Sequence, residues 1–267
     1  MCLITFSYRQ HDQYPFILVA NRDEFFERPS EPMHYWPNHT EILAGQDLKL
    51  QGTWLGLHGS GRFSAVTNFR RVIKKPPKQP LSRGQLITDF LLSNTQAGPY
   101  LHSAQKTVSE YGLYNLLAAD RSGLYFSSNQ DPKHQDSYGR ALTAGLYGLC
   151  NASLDTPWPK LLSAKQQLAQ LLLDDDISMD SLHSLLNDPQ PFSLELLPDT
   201  GIEKEFEQAL SSQFINLEDY GTRAKTIILQ DKHGKTLISE TSYNQQGMQK
   251  KLDFEMQLPV FGSSANV

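Results

Sequence analysis

The order of elements in this 267-residue chain predicts a layered α+β fold, with antiparallel sheets covered by helices. Three observations carry that reading. Strand-like and helix-like stretches come in blocks (strands, helices, strands, helices, strands) without the regular alternation that builds a doubly wound parallel sheet. Turn signals such as Asp120-Arg121-Ser122-Gly123 and Asp231-Lys232-His233-Gly234 separate apolar runs, as hairpins require. No internal repeat or low-complexity linker divides the chain, so residues 1–267 read as one domain.

Taken in order, residues 2–8 and 16–21 form a hairpin of apolar and β-branched strands around a polar turn, and the second strand runs into Asn21-Arg22-Asp23-Glu24. Pro29, Pro32 and Pro37 predict a loop carrying His34, Tyr35, Trp36 and His39. From Ile42 to Asn68 the pattern is strand-like, with Gly45, Gly52, Gly56, Gly59 and Gly61 as hairpin punctuation. These glycines join strand to strand with no helix opening behind them, so they are not a phosphate-binding fingerprint.

Helices are expected from Ser82 to Leu92 and from Ala97 to Tyr111, then strands over 113–119, 124–128 and 145–151. Pro157-Trp158-Pro159 opens a long helix to about Leu173, an acidic turn and short helix follow to Leu186, and residues 203–214 read as another amphipathic helix. A hairpin over 222–230 and 235–242 and a strand near 251–256 close the chain.

Composition narrows the function. A formal net charge of -5 and a pI near 5.9 argue against a nucleic-acid binder, which needs Lys and Arg spread over a broad face. The one basic run is Arg70, Arg71, Lys74, Lys75 and Lys78. Two cysteines, Cys2 and Cys150, supply neither a disulfide framework nor a zinc-ribbon spacing. No window approaches the roughly 18 apolar residues of a membrane span, and the expected location is cytoplasmic. Asp174-Asp175-Asp176 reads as a solvated helix end, and no metal site is assigned.

Chemistry converges on the N-terminus. With Met1 removed, Cys2 would carry a thiol of ordinary pKa about 8.5 and an α-amine of about 7.7–8.0 on one residue, a nucleophile with its own base. As a bare residue type, Cys2 also suits the start of a buried strand. Cys2, Arg22, Asp23, Asn68, Asn151 and Arg223 all fall near strand ends or adjoining turns, where side chains reach a common site. In the functional reading Cys2 attacks an acyl carbon, Asp23 positions the amine, and Arg22 or Arg223 favours the thiolate. Asn68 and Asn151 donate amide N–H groups to the oxyanion, each worth on the order of 3–4 kcal/mol when preorganised. Each Asn also suits a turn-satisfying role.

The motifs Met1-Cys2, Asn21-Arg22-Asp23-Glu24, Arg28-Pro29, Gly45, Asp47, Gly52-Thr53-Trp54-Leu55-Gly56, Thr67-Asn68-Phe69-Arg70, Ser82-Arg83-Gly84, Tyr114-Asn115-Leu116, Gly148-Leu149-Cys150-Asn151, Asp155-Thr156-Pro157-Trp158-Pro159-Lys160 and Tyr220-Gly221-Thr222-Arg223 span the chain. On these motifs it resembles the NRDE family, also called the transport and Golgi organisation protein 2 family. That family in turn is similar to N-terminal-nucleophile hydrolases of the penicillin V acylase and bile salt hydrolase type.

The resemblance implies a four-layer αββα sandwich, with Cys2 as nucleophile, Arg22 and Asp23 in the places of the hydrolase Arg and Asp, Asn68 and Asn151 as the two Asn, and Arg223 as the later Arg. One departure stands out: Arg22 and Asp23 adjoin, whereas the hydrolases separate theirs by two residues, and adjacent strand residues face opposite ways.

The family's associations imply haem binding and trafficking, or acyl-CoA and lipid handling, on this scaffold. The alternative is a cysteine amidohydrolase or thioesterase. The hydrolase chemistry requires no cofactor, and haem would enter as cargo. His34, His39, His58 and Cys2 are the candidate axial ligands, and the 70–78 basic run suits anionic phosphates. Tyr35, Trp36, Trp54, Phe63 and Phe69 suggest a small apolar or amphipathic ligand.

Overall fold

The computed structural model describes residues 2–71, 80–130 and 139–264. Met1 and Lys74, Lys75 and Lys78 of the basic run lie outside the described residues. The strands are β1 (Cys2–Tyr8), β2 (Phe16–Phe25), β3 (Ser30–Trp36), β4 (His39–Asp47), β5 (Leu55–His58), β6 (Arg62–Asn68), β7 (Tyr114–Asp120), β8 (Gly123–Ser128), β9 (Arg140–Ala141), β10 (Gly145–Leu149), β11 (Tyr220–Gln230), β12 (Lys235–Asn244) and β13 (Gly247–Gln257). The α-helices are α1 (Arg83–Leu92), α2 (Ala97–Ala104), α3 (Pro159–Leu173), α4 (Met179–His183) and α5 (Lys204–Ala209).

Two antiparallel sheets result, one ordered β10-β1-β2-β11-β12-β13 and the other β3-β4-β5-β6-β7-β8-β9. Period-two alternation decides what each face of β1 and β2 meets. Ile4, Phe6, Leu18 and Ala20 pack with Leu57, Phe63 and Leu117 of the other sheet. The alternate residues Leu3, Ile17 and Val19 pack under Leu161, Ala164 and Leu168 of α3. On the far side, Ile42, Val66 and Leu116 pack under Ile87 and Phe90 of α1. Three cores between four layers make this an αββα sandwich. Among the described residues no helix is long and apolar enough to cross a membrane.

Four elements differ from expectation. The 29–37 segment is strand β3 rather than a loop, because it is the outermost strand of its sheet and its pairing slips between Glu31 and His34, where Pro32 needs no ladder hydrogen bond. Strand β2 continues through Arg22 and Asp23 to Phe25, carried by pairing with β11 that reaches Tyr220. The second helix is α-helical only to Ala104 and then tightens into a 3₁₀ segment over Gln105–Glu110. The 203–214 helix stops at Ala209, where the Ser211 and Ser212 hydroxyls donate to the Gln208 and Phe214 carbonyls and compete with helix continuation.

One acid lies deep between the sheets. Glu240 of β12 is 1 % exposed and accepts the backbone N–H of Met33, on β3 of the opposite sheet, at 2.6 Å. Burial raises its carboxyl from 4.5 to about 7. Between those values the unfolded chain has released a proton that the folded chain retains, so stability falls as pH rises through this window. Above it the folded state carries a cost of about 3 kcal/mol. Glu240→Gln retains an acceptor for Met33 and removes the charge. Thermal denaturation is expected to show the variant more stable than wild type at pH 8 and equal to it near pH 4.5, whereas an equal effect at both pH values would refute this origin.

Candidate active site

Cys2 begins β1, and the register sets it directly across from Arg22 of β2. Cross-strand partners share a face, so both side chains point between the sheets, while Asp23 points to the helix side. The two faces are nevertheless coupled, because the Asp23 backbone lowers the Cys2 thiol against the rise that burial causes. A cavity of about 240 Å³ opens here, with Cys2, Arg22, Asp23, Trp54, Asn68 and Arg83 in its wall. Cys2 is partly buried, and desolvation pushes its thiol above the ordinary value. The resting sulfur is therefore a thiol that needs a base, not a standing thiolate.

Asp23 is 1 % exposed, and its Oδ1 accepts from the Thr222 hydroxyl at 2.8 Å. That hydroxyl in turn accepts the Ile215 N–H at 3.0 Å, which fixes its orientation. Tyr220 donates its hydroxyl to the Asp23 backbone carbonyl at 2.9 Å. Burial raises the Asp23 carboxyl, and the positive charges of Lys160 and Arg70 on the helix side work against that rise.

Behind Asn68 stands a chain of polar contacts. Asn151 is buried, donates its amide to the Asn68 carbonyl at 3.0 Å and accepts from Arg70 at 3.2 Å. Arg70 also pairs with Glu207, which holds Thr200, and stacks 4.9 Å from the Trp158 ring. The chain at 150–152 is clamped in turn, since Thr67 donates to the Cys150 carbonyl at 2.7 Å and Asn115 to the Ala152 carbonyl at 2.8 Å.

The expected residues are thus brought together in part. Cys2, Arg22, Asp23 and Asn68 reach one cavity. Asn151 is absent from its wall and supports Asn68 from behind. Arg223 turns elsewhere, because a bulge between Thr222 and Ala224 leaves it unpaired. Its guanidinium donates to the carbonyls of Phe25, Phe26 and Arg28 and fastens the loop after β2.

The tetrad divides its labour. Asn21 ties two helix-side loops through the carbonyls of Leu186 and Gln213, both at 2.9 Å, and Glu24 lies 4.0 Å from Arg28, which pairs with Asp47 at 2.7 Å. His34, His39 and His58 are outside the cavity wall; His34 meets Glu31 and His58 meets Glu41, each at 3.5 Å. Of the aromatic set only Trp54 reaches the cavity, while Trp36 and Phe63 are core.

The sequence reading missed Arg28, Asp47 and Arg83 in the wall, and Lys160, Thr222, Tyr220 and Glu207 around Asp23 and Asn151. All except Glu207 stand inside motifs already noted, which was the available signal. Glu207 carries none.

The sequence profile described as Transport and Golgi organisation 2 matches residues 1–245. The chain belongs to the transport and Golgi organisation 2 family. It is 35 % identical to the Transport and Golgi organization protein 2 homolog of Homo sapiens over 267 aligned residues, covering 91 % of this chain and 93 % of the relative. The Mus musculus homolog is 34 % identical with the same coverage. Among solved structures, a Caenorhabditis elegans N-acylethanolamine-hydrolyzing acid amidase ortholog is similar at a TM-score of 0.45 and 11 % identity, covering 85 % of this chain and 92 % of that one. In this member of the transport and Golgi organisation 2 family, the head of β1 and the end of β2 meet Trp54, the end of β6 and the start of α1 at the cavity.

Proposed function

We propose that this protein is a cysteine N-terminal nucleophile that cleaves an amide or thioester through an acyl-Cys2 intermediate. The observation that carries the reading is the placement of the Cys2 thiol in a cavity wall directly across from Arg22, with buried Asp23 beside it and Asn68 in the same wall.

After removal of Met1, the free α-amine takes the proton of its own thiol as sulfur attacks the carbonyl carbon. Asp23, immobilised by Thr222, holds the amine in position and stabilises its positive charge. Asn68, whose backbone carbonyl is held by Asn151, donates its side-chain amide to the oxyanion. The amine then returns the proton to the leaving nitrogen or sulfur, and a water, deprotonated by the same amine, releases the acyl group. The amine must be neutral to act, so the rate of acylation rises with pH as the amine loses its proton.

The test is pre-steady-state kinetics with activated acyl thioesters. The expected result is a burst of about one leaving group per chain followed by slower turnover. Absence of a burst with every thioester, together with a Soret shift saturating near one equivalent of haem, would replace this reading with the carrier function that the family's associations suggest.

A further inference from the structure

We propose that Arg22, Arg83 and the start of α1 form an anion subsite beside Cys2, so that the compound attacked carries a carboxylate or phosphate group close to its acyl carbon. The inference deepens the nucleophile reading and rests on it.

Charges around the cavity are unevenly matched. Arg28 is answered by Asp47 and Glu24, and Arg70 by Glu207. Arg22 and Arg83 have no carboxylate within 4.0 Å among the described residues. Arg22 is only 7 % exposed, lies 4.2 Å over the Trp54 ring, and has one terminal nitrogen, Nη1, buried without a hydrogen-bond partner among the described residues. Glu240 is the buried acid that feels Arg22, but its oxygens are engaged by the Met33 N–H and the Thr226 hydroxyl. Nη1 is sealed from the cavity, but no other nitrogen of this guanidinium makes a hydrogen bond among the described residues either, and a cation held without a partner at a cavity wall is costly until an anion meets it there.

Arg83 supplies the second cation. One of its terminal nitrogens donates to the Leu113 carbonyl at 3.0 Å, which anchors the group at the wall. It is the first residue of the ten-residue α1, whose preceding Ser82 makes no side-chain cap and whose first turn holds no acid. The positive end of the helix therefore adds to the field. Two glycines allow this approach: a Cβ at Gly84 would lie 2.7 Å from the Thr53 carbonyl oxygen, and one at Gly52 would lie 2.8 Å from the Gly84 backbone. The start of α1 thus rests directly on the segment leading to Trp54.

The experiment compares alkylation of Cys2 by iodoacetate and by iodoacetamide, which differ in carrying a carboxylate or a neutral amide beside the reactive carbon. In both, sulfur bonds to the methylene carbon, iodide leaves, and the thiol proton passes to solvent. Rates at Cys2 are read by peptide mass mapping, with the urea-unfolded chain giving the intrinsic ratio.

The folded protein is expected to favour iodoacetate by about tenfold over that intrinsic ratio, with saturation. Arg83→Gln is expected to bring the ratio down towards the unfolded value, and Arg83→Lys to keep most of the preference. Protection by acetate supports a carboxylate ligand, and protection by inorganic phosphate supports a phosphorylated one. Reaction with both reagents at the unfolded ratio, or protection by neither anion, overturns the subsite while leaving the nucleophile reading intact. A folded Cys2 inert to both reagents overturns the two together.

Discussion

A Cys2→Ala chain is expected to lose the acylation burst entirely and to fall by on the order of 10³-fold or more in turnover of any amide or thioester that the wild type cleaves. Electrostatic surroundings alone leave only residual catalysis once the nucleophile is gone, because no covalent intermediate divides the reaction. The fold is expected to survive. Cys2 is partly buried at the first position of its strand, so deleting one sulfur costs about 1 kcal/mol or less. Burst kinetics and thermal denaturation on the same preparation separate the two effects. Full turnover by a folded Cys2→Ala chain would dismiss the mechanism.

Arg70→Leu is expected to destabilise the protein by about 3–5 kcal/mol. Arg70 and Glu207 have side chains only 8 % and 7 % exposed, so removing the cation leaves a carboxylate in the interior with its principal counter-charge gone. The same substitution removes the donor that meets the Asn151 side-chain oxygen at 3.2 Å, and Asn151 in turn holds the Asn68 carbonyl. Activity should therefore fall beyond what the loss of folded protein explains. The double variant Arg70→Leu with Glu207→Leu is expected to recover most of the stability, since two apolar groups replace a buried pair with little net change. Chemical denaturation of the two single variants and the double closes the cycle. Additive losses would show that the pair is uncoupled.

What was legible in the sequence was local. The β1–β2 hairpin, the meeting of Cys2 with Arg22 and Asp23, and the opposite facing of those two neighbours all follow from strand alternation across one short turn. The closing hairpin of β11 and β12 was equally plain.

What escaped depends on partners distant in the chain. Arg223 was expected at the site, but one extra residue in β11 rotates it to the loop after β2, and nothing local in Tyr220-Gly221-Thr222-Arg223 announces a bulge. Asn151 was expected to face the ligand, yet the clamp from Thr67 and Asn115 holds its segment behind Asn68, outside the cavity wall. The prolines of 29–37 suggested a loop because their restraint is local, while their tolerance comes from β3 lying at the edge of a sheet. Glu207 and Glu240 carry no pattern of their own, and their importance is created by burial opposite Arg70 and Met33.

The central claim is that sulfur and amine of one residue work together at the head of β1. It is tested most directly by mass mapping of the N-terminal peptide after brief exposure to an activated acyl thioester and acid quench. The account predicts a peptide that begins at Cys2, lacks Met1 and carries one acyl group on sulfur. A peptide that retains Met1, or an acyl group found elsewhere with Cys2 unmodified, would contradict it.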